Sequence, residues 1–191
     1  MATTITEIER FLYEREVRYE KKSDAVLVLG FKTHKFVNPA GTKSLALVVE
    51  LDENGGYFSL FAPQAFSLAK PEHQGAFMVT CGLVMYAAKL IQFEFDPKDG
   101  EVRPKIEFPL EDSALTQKQF NRCLEGLVQI LEEYYEPLHK AATEGIIPDA
   151  VGPAAALSSL LDRMLANLPQ GMRDDLARRL REGGQPDGGE A

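Results

Sequence analysis

The chain has 191 residues and a formal net charge of −8, with Lys+Arg 21 against Asp+Glu 29. Hydrophobic content of 45% and charged content of 26% are ordinary globular values, which excludes global disorder and suits one domain with an appendage. The acidic balance argues against nucleic acid or an anionic membrane as partner, and only three His and two Cys leave little material for a metal site or a nucleophile–base pair.

Residues 4–22 read as an amphipathic helix. Ile5, Ile8, Phe11, Leu12 and Tyr19 fall near one face, and Glu7, Glu9, Arg10, Glu14, Arg15, Glu16 and Arg18 cover the rest. The N-terminal residues lack a basic region followed by an apolar run, so no secretory leader is expected. Ala25 to Leu29 is a short, nearly all-apolar strand. Leu45, Leu47, Val49 and Leu51 alternate into Asp52-Glu53-Asn54-Gly55-Gly56, and Tyr57 to Phe61 returns. Asn-Gly between two apolar runs predicts a hairpin, because such a turn needs residues that accept positive φ.

A second helix is predicted over roughly 72–89, with apolar residues nearly all the way round. Both its sides then need cover, one from the sheet and the other from a second helix or a second subunit. The apolar stretch from Gly75 to Ile91 is interrupted by Thr80, Cys81, Gly82 and Lys89. It falls short of the roughly 18 nearly unbroken apolar residues that a spanning helix needs. Cys81 and Cys123 read as two reduced, buried thiols of a cytoplasmic protein, with a disulfide between them the less favoured alternative.

Ile91, Phe93 and Phe95 alternate with Gln92 and Glu94 as a half-exposed strand, residues 96–100 turn it, and Val102, Ile106 and Phe108 lead back. Pro104 cannot donate to a ladder, so this strand is expected at an edge or with a bulge there. Thr116 and Gln119 form a capping-box pair. Phe120, Cys123, Leu124, Leu127, Ile130, Leu131, Tyr134 and Leu138 then follow at the spacing of one long helix.

After Gly145 the composition shifts, and 146–153 reads as a linker with two prolines. Leu157, Leu160, Leu161, Met164, Leu165 and Leu168 build an amphipathic helix that Pro169-Gln170-Gly171 stops. A shorter helix carries Met172, Leu176 and Leu180, and glycine-rich 183–191 reads as disordered. The expected organisation is an α+β domain over 1–145, a helical appendage over 146–182 and a disordered tail over 183–191. Its sheet is mostly antiparallel, five-stranded and packed against helices in the order α-β-β-β-α-β-β-α.

Three stretches carry a resemblance. The first is the middle helix Phe77-Met78-Val79-Thr80-Cys81-Gly82-Leu83, leading into Lys89-Leu90-Ile91-Gln92-Phe93-Glu94-Phe95. The others are Val102 to Leu110 running into Glu111-Asp112-Ser113-Ala114-Leu115-Thr116, and the helix from Phe120 to Tyr135. From about residue 4 to 140, by element order and hydrophobic spacing, the chain resembles the YbjN-type (sensory-transduction-regulator) family, which shares the architecture of type III secretion chaperones. The resemblance implies a binding protein rather than an enzyme: a dimer built around the middle helix, with apolar patches that hold a segment of a client.

The residues that could carry chemistry have plainer readings. His34 lies in a loop with lysines and no carboxylate or nucleophile nearby in sequence. His73 and Cys81 are eight residues apart on a helix, about 12 Å, too far for a thiolate–imidazole pair. His139 reads as a cap near the end of the last helix. Glu132, Glu133 and Glu136 read as a solvated acidic face, and Glu94 and Glu107 with Arg103 and Lys105 as cross-strand charge pairing. Phe93, Phe95, Phe108 and Phe120 read as core.

No catalytic residue, cofactor or metal is therefore expected. The leading expectation is a chaperone-like or adaptor/regulator module, a homodimer through Phe77, Val84 and Tyr86 with an unidentified protein partner. Val26, Val48, Phe58 and Leu60 on the sheet, and Leu157, Leu161 and Leu165 on the appendage, are the candidate partner-binding residues. The alternative is a small-molecule-responsive regulator or weakly patterned enzyme with a ligand between sheet and helices.

Overall fold

The fold is that of a computed structural model, in which residues 2–68, 71–152 and 170–173 are described. Thr4 opens α1 (Ile5–Tyr13): its hydroxyl accepts from the Glu7 N–H at 3.3 Å, and the Glu7 carboxylate accepts from the Thr4 N–H at 2.9 Å. Ile5, Ile8, Phe11 and Leu12 form the buried face. The helix ends well before residue 22. After Leu12 the apolar phase lapses, Glu16 turns left-handed at φ +56°, and the Val17 N–H closes back on the Leu12 carbonyl at 3.0 Å.

Residues predicted to continue that helix instead form β1 (Tyr19–Lys21), which pairs antiparallel with β2 (Val26–Lys32). β3 (Ser44–Asp52) and β4 (Tyr57–Phe61) make the hairpin that Asn54-Gly55 signals. Glu53, Asn54 and Gly55 all have positive φ, and a Cβ on Gly55 would lie 2.0 Å from the Thr3 carbonyl oxygen. Only glycine fits there.

The remaining strands are β5 (Phe66–Ser67), β6 (Gln92–Phe95) and β7 (Glu101–Pro109). Lys105 of β7 lies opposite both Phe61 and Gln92, and Val102 opposite both Phe66 and Phe95. β4 and β5 therefore run along one side of β7, and β6 along the other. All pairings are antiparallel, giving seven strands rather than five. The two extra strands are only three and two residues long, too short to show alternation, and exist because a neighbour offers a ladder.

Pro104 does not lie at the edge of the sheet. It sits where the ladder breaks: the Ala62 N–H reaches the Pro104 carbonyl at 3.0 Å, and pairing resumes only at Phe66↔Val102. A reciprocal bond would need a proline N–H, so four residues, 62–65, bulge opposite two.

α2 (Pro71–Ala87), α3 (Gln117–Glu133) and α4 (Tyr135–Glu144) complete the layer of helices. Thr116 and Gln119 cap α3 reciprocally. The single long helix expected here breaks at Tyr134, because Pro137 lacks an N–H and would clash with the carbonyl of residue 133 in a continuous helix.

Period-two alternation sends Leu27, Leu29, Leu47, Val49, Phe58, Leu60 and Ile106 to one face, where all are fully or nearly fully buried. Phe58 meets Phe120 of α3 at 6.2 Å between ring centroids, and Phe66 meets Phe77 of α2 at 5.2 Å. Each such side chain contributes roughly 1.5–3 kcal/mol by leaving water. The first compact unit runs from Met1 to Gly152, with Val151 still buried, and Pro153–Ala191 form the second. Of the second unit, 170–173 are helical, where a stop is expected at Gln170-Gly171. The tail predicted for 183–191 lies outside the described residues.

Candidate functional site

His73, His139 and the two cysteines are engaged through their side chains, and His34 through its backbone alone. The Glu132 carboxylate accepts from the backbone N–H groups of His34 and Lys35 at 2.8 and 2.7 Å, leaving the His34 ring exposed. Glu132 thus pins the β2–β3 loop to α3 rather than forming part of a solvated face. His73 Nδ1 lies 3.0 Å from the Ala142 carbonyl oxygen. His139, inside α4 rather than at its end, stacks on Tyr135 at 5.2 Å. Burial pushes the Cys81 thiol up to about 12 and the Cys123 thiol up to about 11, so both are protonated and unreactive at neutral pH. Among the described residues, no three His, Cys, Asp or Glu side chains are grouped to hold a metal ion. The space between sheet and helices is filled by Phe58, Phe77, Phe120 and Leu127. An open cleft of about 810 Å³ lies at the rim instead, lined by Thr3, Lys21, Asp24, Asp52, Glu53 and Gly55 among others.

What the fold leaves open is apolar surface in two places. The first is the outward face of the sheet. Val26, Val28 and Val48 share it with Phe61, since Val28 pairs with Val48 and Val48 with Phe61. All four are half-buried and lie outside the core cluster. The four sheet residues expected to bind a partner therefore divide. Val26 and Val48 face outward, whereas Phe58 and Leu60 are fully buried on the inner face. Counting from Val49 by twos across the ladder separates them, and the strand sequences alone do not give that register.

The β6–β7 side of the same face is charged. Glu94 opposes Arg103 and accepts from its Nε at 2.5 Å, while Lys105 Nζ reaches Glu94 at 3.2 Å and Glu107 at 2.5 Å. Hydrogen bonding from Lys105 holds the Glu107 carboxyl below the usual carboxylate range, with Gln92 and Ser59 adding to the effect against partial burial. The Arg103 guanidinium lies over the Phe61 ring, 5.2 Å from its centroid, where the charged and apolar parts meet.

The second open surface is one side of α2. Phe77 and Val84, expected at a dimer surface, are fully buried in the chain's own core, and so is Cys81. Tyr86 lies on the other side at 94% exposure, with Val79 at 49% and Met78 and Met85 also exposed. Leu90, three residues past the helix and left-handed at φ +70°, is exposed as well. A helical wheel anchored on Phe77 finds this side, but only once the core side is known. Leu157, Leu161 and Leu165 lie outside the described residues.

Among the described residues no helix is long and apolar enough to cross a membrane. No family model matches the chain, and no curated protein matches it. Solved structures it is similar to include YbjN from E. coli, with 8% identity, 69% of this chain and 91% of that chain covered, and a TM-score of 0.49. The HopA1–SchA chaperone–effector complex follows with 15% identity, 69% and 92% coverage and a TM-score of 0.47. The heterodimeric ExoU–SpcU complex of the Pseudomonas aeruginosa type III secretion system has 16% identity, 72% and 98% coverage and a TM-score of 0.43. At these identities the likeness is one of fold alone.

Proposed function

We propose that the chain is a non-catalytic protein-binding module of chaperone or adaptor type, acting in the cytoplasm. It holds an extended segment of a protein partner on the outward face of its sheet and works as a homodimer through the exposed side of α2. The observation that carries this reading is the division of the sheet. One face is sealed by helices, while the other keeps Val26, Val28, Val48 and Phe61 half-open beside an ordered set of charges. An extended segment with apolar side chains on one face can lie across that patch, and basic flanks suit the acidic Glu50 and Asp52 nearby, Glu20 being paired with Lys22.

The test is fluorescence anisotropy with labelled peptides of alternating apolar residues and basic flanks, alongside scrambled controls. Binding that Val48→Asp and Phe61→Ser each weaken about tenfold or more, with unchanged unfolding midpoints, is the expected result. No peptide binding at high micromolar protein, or binding indifferent to both substitutions, overturns the reading.

A further inference from the structure

The turn after α1 crosses the solvent side of α3 at two points. Gln117 Nε2 donates to the Glu14 carboxylate at 2.5 Å, and Arg15 Nη2 donates to the Glu125 carboxylate at 2.6 Å. Gln117 and Glu125 are eight residues apart, about 12 Å along the axis. These two posts frame an open groove of about 600 Å³, with Lys118, Asn121, Arg122 and Gly126 in its floor.

Three features of the groove call for something the chain does not supply. Lys118 and Arg122 are exposed, and among the described residues neither has a carboxylate within 4 Å, in a chain of net charge −8. Asn121 Oδ1 is, among the described residues, the buried side-chain polar atom without a hydrogen-bond partner, so it has given up water with nothing in return. Gly126 lies inside α3 without positive φ, and a Cβ there would meet nothing within 4 Å. Neither backbone nor internal packing calls for glycine, which is a poor choice in a helix interior, and close approach of a ligand to the helix does.

We propose that this groove binds an extended, acidic segment of a partner protein, at a site separate from the sheet face. Lys118 and Arg122 rise about 6 Å apart along α3, close to the roughly 6.6–6.8 Å between alternate residues of an extended chain. Two carboxylates spaced by two residues therefore meet both cations. The Asn121 amide is the complement of a peptide bond. Turned about its soft Cβ–Cγ torsion, it accepts a backbone N–H at Oδ1 and donates from Nδ2 to a backbone carbonyl. Gly126 lets that backbone lie against the helix. One ligand thus supplies both the anions and the missing donor. An inorganic phosphate answers Lys118 and Arg122 but brings no amide for Asn121, and a basic segment of the kind that suits the sheet face is repelled by both cations.

The test uses the full chain and fluorescence anisotropy with a labelled peptide of alternating Glu and Ser, beside its Gln-for-Glu counterpart. The Glu peptide should bind with an affinity that falls as salt is added, and the Gln peptide about tenfold more weakly or worse. Lys118→Glu and Arg122→Glu should each weaken binding about tenfold or more. Asn121→Ala should weaken it about fivefold or more with the salt dependence unchanged, since no charge is removed. Gly126→Leu separates binding from folding: it suits a helix and enters open space, so the unfolding midpoint should hold or rise while binding falls about tenfold or more. Val48→Asp on the sheet face should leave binding unchanged. The proposal is overturned by binding indifferent to Asn121→Ala and Gly126→Leu, by loss of binding in Val48→Asp, or by displacement with inorganic phosphate at concentrations like the peptide's. Absence of binding at high micromolar protein overturns it as well.

Discussion

Along α2, Phe77, Cys81 and Val84 are fully buried, whereas Val79, Met85 and Tyr86, one or two residues away, stand in solvent. The two sides are built from the same class of side chain, and composition does not tell them apart. The apolar character of a helix side therefore does not by itself say what covers it. One side is covered by the chain's own sheet and α4, and the other stands open to solvent. The sheet repeats the lesson, with Leu27, Val49 and Leu60 sealed on one face and Val28, Val48 and Phe61 half-open on the other.

That contrast can be broken by substitution, and the largest effect belongs to the sealed side. Phe77→Ala should cost about 3–5 kcal/mol in denaturant unfolding, because a fully buried ring leaves a cavity. Tyr86→Ala should leave monomer stability within about 0.5 kcal/mol while abolishing self-association. Comparable losses from both would erase the distinction between the two sides.

Glycines sharpen it further. Gly55→Ala should cost about 2 kcal/mol or more, since φ is +89° and the new Cβ would collide with the Thr3 carbonyl. Gly82→Ala meets open space and should stabilise the monomer by about 0.5–1 kcal/mol through helix propensity, yet weaken the dimer. Calorimetry at low protein concentration, paired with light scattering, reads the two effects separately.

Glu132→Gln probes an exposed but engaged group. Losing the charge that holds the His34 and Lys35 N–H groups should lower stability by about 1–2 kcal/mol and speed proteolysis of the β2–β3 loop.

The smallest effect comes from the charged side of the outward sheet face. Because the folded-state pKa of Glu107 lies below its unfolded value, its contribution is present above the ordinary carboxylate range and is lost as pH falls through the depressed pKa. Glu107→Gln should therefore lower stability at neutral pH by about 1 kcal/mol or less and flatten the acid limb of the stability profile. An acid limb identical to that of the unmodified chain would show that the Lys105 contact adds nothing.

Much of the fold is legible in the residues. The Thr4 and Thr116 caps, the Asn54-Gly55 turn and the alternation of Val102, Ile106 and Phe108 are local signals, and each structure they predict is present. The misread elements are those where a local pattern competes with a neighbour. Tyr19–Lys21 continue a helical charge pattern but are drawn into a ladder by β2. Phe66-Ser67 is too short to announce itself. Pro137 breaks an otherwise continuous helical spacing, and a new helix starts at Tyr135. The candidate surface is less legible still, because Phe58 and Val48 look alike until the pairing of β3 with β4 fixes their phase.

An α+β chain with an apolar middle helix and few catalytic side chains follows from local periodicity and composition alone. Which apolar residues are core and which are surface is settled in the packed fold. Burial depends on register and on what packs from outside the element, and neither is encoded in the spacing of that element alone.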